Sequence, residues 1–192
     1  MISSARTSRF VALAAATVLG LSVATAAPAS ADSRTIKDGK GDTWNIASET
    51  PKKASGHPEG DLRKVTFNHT ARKVVITARM QNLKKSGEGV GVYMNIDTPD
   101  DTSYGADLIG TPDNWRGEAS VYGSASECSP TGSLNYKKDV AKLSIPRSCL
   151  GRPDWVRFQL AGAFAKSENK IFYDDATGKK VEFAFTRRVA RG

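Results

Sequence analysis

The chain is poor in the two side chains that most often hold transition metals. Of its 192 residues two are cysteine and two are histidine, too few for a cysteine-rich zinc fold or a histidine-built metal centre. His57 and His69 have no partner at metal-ligand spacing. There is no G-x-S-x-G elbow, no H-E-x-x-H and no P-loop. Gly87-Glu-Gly-Val-Gly91 is glycine-rich, but it leads into an alternating run and offers an anion no helix N-terminus, so it reads as a turn. No run of helical period stands out, and beyond the N-terminus no apolar stretch approaches the ~20 residues that span a bilayer. Lysine and arginine number 28 against 20 acids, a net charge of +8. The basic residues are scattered as pairs at turns (Lys52-Lys53, Lys84-Lys85, Lys137-Lys138, Lys179-Lys180), which is not the footprint of a nucleic-acid binder.

The N-terminus carries an export leader. Arg6 and Arg9 form a positive segment, an uncharged stretch runs from Phe10 to about Ala27, and Ala29-Ser30-Ala31 supplies the small-residue pattern accepted by signal peptidase. Cleavage is expected before Asp32, with Ala24-Thr25-Ala26 as the weaker alternative. The two arginines are not adjacent, which favours the general secretory route over the twin-arginine one. Residues 1–31 are thus read as a signal peptide and residues 32–192 as a single secreted domain without a transmembrane segment, since a chain of this length suits one core.

Both cysteines, Cys128 and Cys149, lie in the exported part, where an even pair is expected to form a disulfide. The closed loop of about 20 residues corresponds to roughly 3 kcal/mol of stabilisation in the chain-entropy view. The dominant period of residues 32–192 is two. Val74, Ile76, Ala78 and Met80 alternate with Val75, Thr77 and Arg79; Val65 and Phe67 precede them in a run from Leu62 to Asn68, and residues 69–72 join the two as a hairpin. Val90, Val92, Met94 and Ile96 form a third strand. Further strands are expected at Glu118–Gly123, Ser133–Tyr136, Val140–Ile145, Trp155–Phe164, Lys170–Tyr173 and Val181–Phe185, with one helical turn at Pro146–Leu150 ended by Gly151. Eight or nine short strands with turns at this spacing predict an all-β, antiparallel two-sheet sandwich or jelly roll.

The chemistry that remains is carboxylate and aromatic. Aspartates cluster at predicted turns: Asp38, Asp42, Asp61, Asp97, Asp100, Asp101, Asp107, Asp174 and Asp175. Calcium takes six to eight oxygen ligands, commonly from loops, so Asp38 with Asp42, Asp97 with Asp100 or Asp101, and Asp174 with Asp175 are candidate ligands of a structural Ca2+. Aspartate also caps its own backbone in turns, and both readings stand. The same carboxyls are the one route to catalysis, as an acid and base pair for glycoside cleavage. Trp44, Tyr93, Tyr104 and Trp115 are candidates for a sugar-stacking platform, and Trp155 is expected to pack near the disulfide, against the alternative that these rings serve the core.

Several stretches carry a resemblance: Asp38-Gly-Lys-Gly-Asp42, Gly60-Asp61-Leu62 leading into the Phe67–Met80 hairpin, Ile96-Asp97-Thr98, the run from Ile145 to Arg157, and Asp174-Asp175-Ala176. Together they make the chain resemble small secreted β-sandwich proteins of unknown function from high-GC Gram-positive (actinobacterial) bacteria. More loosely, the chain is similar to sandwich domains of the DOMON and family 9 carbohydrate-binding kind. The resulting expectation is a non-catalytic extracellular module that binds carbohydrate or cell-wall polymer with structural calcium. The alternatives are an interaction protein held on an anionic envelope by its basic surface, and a carboxylate-dependent hydrolase.

Overall fold

A computed structural model of the protein describes residues 32–124, 127–178 and 184–192; the expected leader lies outside them. Thirteen strands follow one another among the described residues: β1 (Asp32–Lys37), β2 (Trp44–Asn45), β3 (Lys52–Lys53), β4 (Leu62–His69), β5 (Lys73–Met80), β6 (Gly89–Asp97), β7 (Ser103–Thr111), β8 (Asn114–Tyr122), β9 (Thr131–Asn135), β10 (Val140–Pro146), β11 (Trp155–Ser167), β12 (Lys170–Asp175) and β13 (Val189–Ala190). They make two antiparallel sheets, one of five strands in the order β1-β4-β5-β10-β9, the other of eight in the order β3-β2-β12-β11-β6-β7-β8, with β13 alongside β11. The architecture is the expected sandwich, with more strands than the eight or nine predicted.

Alternation decides what lies between the sheets. Val74, Ile76, Ala78 and Met80 of β5 are buried, as are Val90, Val92, Met94 and Ile96 of β6, and Phe67 stacks on Phe158 at 4.3 Å between ring centroids. The Leu62–Met80 hairpin forms in the predicted place, with a bulge between Leu62 and Lys64. A single 3-10 turn, Arg147–Leu150, follows Pro146 and ends at Gly151 in the left-handed conformation. Cys128 and Cys149 are bonded, with their Cα atoms 5.3 Å apart, tying the approach to β9 to this turn.

Five strands escaped the sequence reading. β7 spans Ser103–Thr111, where Gly105, Asp107 and Gly110 look like turn residues although Tyr104, Ala106 and Leu108 alternate into the core. β1, β2 and β3 are short or polar, and β1 and β3 lie on sheet edges. The fifth, β13, is a two-residue strip. Of the strand expected at Val181–Phe185, residues 181–183 lie outside the described part, and 184–185 are not in a strand. Trp155 does not join the core: the Arg188 guanidinium lies 4.1 Å from its ring centroid and that of Arg157 at 5.8 Å.

Two junctions position the candidate sites. The segment Gly60-Asp61-Leu62 crosses onto the inner side of β11 and β12, so close that a Cβ on Gly162 would stand 2.3 Å from the Gly60 carbonyl oxygen. A side chain there would push the crossing segment away. On the opposite, outer face of the eight-stranded sheet, register puts Tyr173, Ala163 and Gly91 in one row, Asp175, Ala161, Tyr93, Asp107 and Ser120 in the next, and Gln159, Asn95, Gly105 and Tyr122 in a third.

Candidate functional site

The outer face of the larger sheet carries a shallow trough of about 200 Å³. Its walls are the rings of Tyr93, Tyr122 and Tyr173, and its floor is made of small residues, Gly105, Ala106 and Ala161. Gly105 gives Tyr122 room to lie flat: a Cβ there would meet the Tyr122 ring at 3.3 Å. Tyr93 is 42% exposed and Tyr122 57%, and these two are the exposed large hydrophobic side chains among the described residues. Polar groups between the rings are held by one another. The Tyr122 hydroxyl donates to Asp107 Oδ2 at 2.8 Å, and the Asn95 amide donates to Gln159 Oε1 at 2.9 Å. Burial raises the Asp107 pKa while the Tyr122 hydroxyl pulls it back. The face thus offers apolar ring planes beside fixed amide and carboxylate groups, the combination that recognises a ligand with an apolar face and a hydroxylated edge.

On the inner side of the same sheet, a second constellation is built from carboxylates. Asp38 follows β1, Asp42 precedes β2, Asp61 precedes β4, and Asp174 points inward from β12. Ligand oxygens of Asp42, Asp61 and Asp174 lie within 4.8 Å of one another. Backbone amides orient three of the four acids: Gly41 N–H donates to Asp61 Oδ2 at 2.7 Å, Leu62 N–H to Asp174 Oδ2 at 2.7 Å, and Gly39 N–H to Asp38 Oδ1 at 2.9 Å. Asp38 Oδ2, Asp42 Oδ1 and Asp61 Oδ1 are buried without a hydrogen-bond partner. Among the described residues no lysine or arginine forms an ion pair with any of the four; the nearby Arg63 guanidinium donates to the Gly39 carbonyl instead. Burial, reinforced by Asp38, Asp42 and Asp61, pushes Asp174 up to about 8. Burial and the charge of Asp42 push Asp38 up to about 6, against the Gly39 amide.

The remaining sequence candidates are placed elsewhere. Asp97 pairs with Arg157 at 2.8 Å and accepts from the Ser103 hydroxyl at 2.6 Å. Asp100 accepts from the Thr98 hydroxyl, and Asp101 is an exposed turn residue at φ 55. Asp175, on the outer side of β12, caps the following turn by accepting from the Thr177 and Gly178 amides at 2.9 and 3.0 Å. These four are turn and pairing residues separate from the inner cluster. Of the aromatic candidates, Tyr93 walls the trough, and Trp44 shares its face beside Tyr173 on the short strand β2. Tyr104 is buried in the core, and Trp115 packs against the core, edge-on to Tyr136. Even positions of β7 and odd positions of β8 point inward, which removes both rings from any ligand surface.

Tyr122, Tyr173, Asn95 and Gln159 join the trough without a signal in the sequence beyond period two, because only sheet register brings them together. Asp61 was visible as a turn aspartate, but not as a partner of Asp42 and Asp174. At the sheet edge, Lys52, Lys53, Lys166 and Lys170 surround a hollow of about 530 Å³ with His57, which stacks on Phe172 at 3.6 Å between centroids. No helix of the described residues is long and apolar enough to cross a membrane. No protein-family model matches the chain, and no curated protein is significantly similar to it.

Proposed function

We propose that the protein is a secreted, non-catalytic module that binds carbohydrate on the outer face of its larger sheet. The observation that carries this reading is that Tyr93 and Tyr122, the two exposed large hydrophobic side chains, share one trough with hydrogen-bonded Asn95, Gln159 and Asp107. An isolated exposed ring is ordinary on a protein surface, whereas rings gathered around fixed polar groups suit recognition. The volume, below the ~300 Å³ of enclosed small-molecule pockets, suits one sugar unit of a chain laid across the sheet. The export leader and the disulfide support placing this activity outside the cell.

A hydrolytic use of the face is not favoured. Asp107 and Asp175 share a row, but two strands lie between them, which makes three strand spacings or about 14 Å. Paired glycosidase carboxyls stand roughly 5 to 9.5 Å apart. The inner aspartates are close together, but Asp61 and Asp174 are 1% and 2% exposed and no substrate reaches them.

The second reading, attachment to an anionic wall polymer, is favoured by the lysine-lined hollow, whose lining contains no acidic residue. Lysines on the edge strand β3 also blunt an open sheet edge, which accounts for part of this charge without a ligand. Salt separates the two readings, because exposed charge attraction is screened and ring stacking is not. The test is co-sedimentation with insoluble polysaccharides and with purified wall at low and at 1 M NaCl. Retention that persists in salt and falls about tenfold in Tyr93→Ala and Tyr122→Ala supports the carbohydrate reading, since a stacked ring contributes on the order of 1 kcal/mol or more. Retention lost in salt and in a Lys52→Glu, Lys166→Glu double variant transfers the function to the hollow. No retention on any of these materials overturns both.

A further inference from the structure

We propose that Asp42, Asp61 and Asp174, with Asp38 beside them, bind one calcium ion on the inner side of the eight-stranded sheet. The first support is geometric. Oxygens on one calcium ion lie 2.3–2.6 Å from it, so any two stand no more than about 5 Å apart, and one oxygen from each of the three aspartates meets that limit. The second support is independent of the clustering: Asp61 is 1% exposed, yet its Oδ1 has no hydrogen-bond partner. A buried carboxylate oxygen left unpaired is costly, and an ion in the cluster supplies the partner. Asp42 Oδ1 and Asp38 Oδ2 are unpaired in the same place. The acids are also aimed in advance, because the amides of Gly39, Gly41 and Leu62 each hold one oxygen of a carboxyl, and on Asp38 and Asp61 the other oxygen is the unpaired one.

The donor set names the ion. All contributors are oxygens, and no histidine or sulfur belongs to the cluster: both cysteines are in the disulfide, His69 Nδ1 contacts the Val189 carbonyl oxygen, and the His57 ring stacks on Phe172. That excludes a zinc-type set and points to a hard cation. The ligands come from two loops and a strand instead of one rigid loop, and such irregular all-protein oxygen cages suit calcium, which tolerates variable geometry, better than magnesium, which keeps an octahedron and most of its waters. The proposal does not depend on the carbohydrate reading, because the cluster and the trough lie on opposite sides of the sheet.

The experiment is calorimetric titration of the chelator-stripped protein with CaCl2, together with its thermal unfolding midpoint. One ion per chain is expected, with the midpoint raised by about 5–10 °C at one hundred times the dissociation constant. Asp61→Asn and Asp174→Asn should lose the heat and the shift, while Asp97→Asn, whose carboxylate is already paired with Arg157, keeps both. Should the two buried variants fail to fold, Asp42→Asn decides, since Asp42 is half-buried. A folded wild-type protein that shows no calcium heat and no shift overturns the site. So does an undiminished response in folded variants. An equal response to MgCl2 at the same concentration overturns the choice of ion.

Discussion

Two buried charges in this protein are treated in opposite ways. Arg147, 8% exposed, has no carboxylate partner, yet its guanidinium donates to the carbonyls of Ala71, Arg152 and Pro153 at 2.7–2.9 Å. It joins the β4–β5 turn to the segment before β11 and is held by the chain itself through both terminal nitrogens, with Nε left unpaired. Of the four inner aspartates, Asp38, Asp61 and Asp174 receive a backbone amide, and Asp38, Asp42 and Asp61 each retain an unpaired oxygen. The first arrangement is closed but for one donor, whereas the open one leaves three acceptors in one cluster and is complete only with a proton or a cation. Burial alone therefore does not separate a structural charge from a functional one; the gathering of several unsatisfied atoms in one place does.

The largest expected effect comes from breaking the closed arrangement. Arg147→Met strands three carbonyls and should cost about 3–5 kcal/mol in chemical denaturation, with or without calcium. A loss below 1 kcal/mol would show that water replaces the guanidinium and that the two regions do not differ as described.

Acidity sharpens the contrast at intermediate size. Asp174 and Asp38 hold protons in the native state that carboxyls with the ordinary value of 3.8 release on unfolding. The associated stability is complete below that value and drains as pH climbs through about 6 to 8. In chelator the unfolding midpoint should fall by several degrees between about pH 5 and 8.5, and Asp174→Asn should flatten that fall. Buried His69 acts on the other limb. Its pKa lies below 6.5, lowered mainly by burial against the Val189 contact, so its contribution is intact above that value and is lost as pH drops beneath it. His69→Gln should flatten the acidic limb alone. A midpoint that rises with pH across the alkaline limb in chelator contradicts the like-charge account of the cluster.

The smallest effect is expected at the aspartate that looked equally suited to calcium. Asp97→Asn weakens a pair in which the Arg157 side chain is 41% exposed, worth about 0–1 kcal/mol. A salt titration of its stability should be nearly flat; a loss above 2 kcal/mol would make Asp97 part of a buried network after all.

What could be read from the chain divides along the same line. Period two in Val74–Met80 and Val90–Ile96, the Pro146 turn and the cysteine pair are local signals, and each reappears in the fold. β7 was hidden because glycines at 105 and 110 mimic turns, while the first lies under the Tyr122 ring and the second makes room for Leu134 and Tyr136. Asp38, Asp42 and Asp174 were legible as calcium-type ligands by residue type alone. Their meeting with Asp61 depends on the crossing of Gly60–Leu62 over β12, a contact between Leu62 and Asp174 across 112 residues of sequence. Asp97, Asp100, Asp101 and Asp175 carried the same signal, and only the fold separates them. Tyr93 was legible as a candidate, whereas its neighbours Tyr122 and Tyr173 arrive by sheet register.

Adjacent residues of β12 serve the two faces: Tyr173 stands on the outer trough and Asp174 in the inner cluster, joined by one peptide. A strand that is stilled from one side is stilled on both. If each face takes its ligand, the ordering cost of β12 is met by whichever arrives first, so each would tighten the other by the same factor. The short strand β2, paired to β12 through Trp44 and Asn45, would share in that stiffening. Residue parity along a single strand would then act as a thermodynamic link between the interior of the sandwich and its surface.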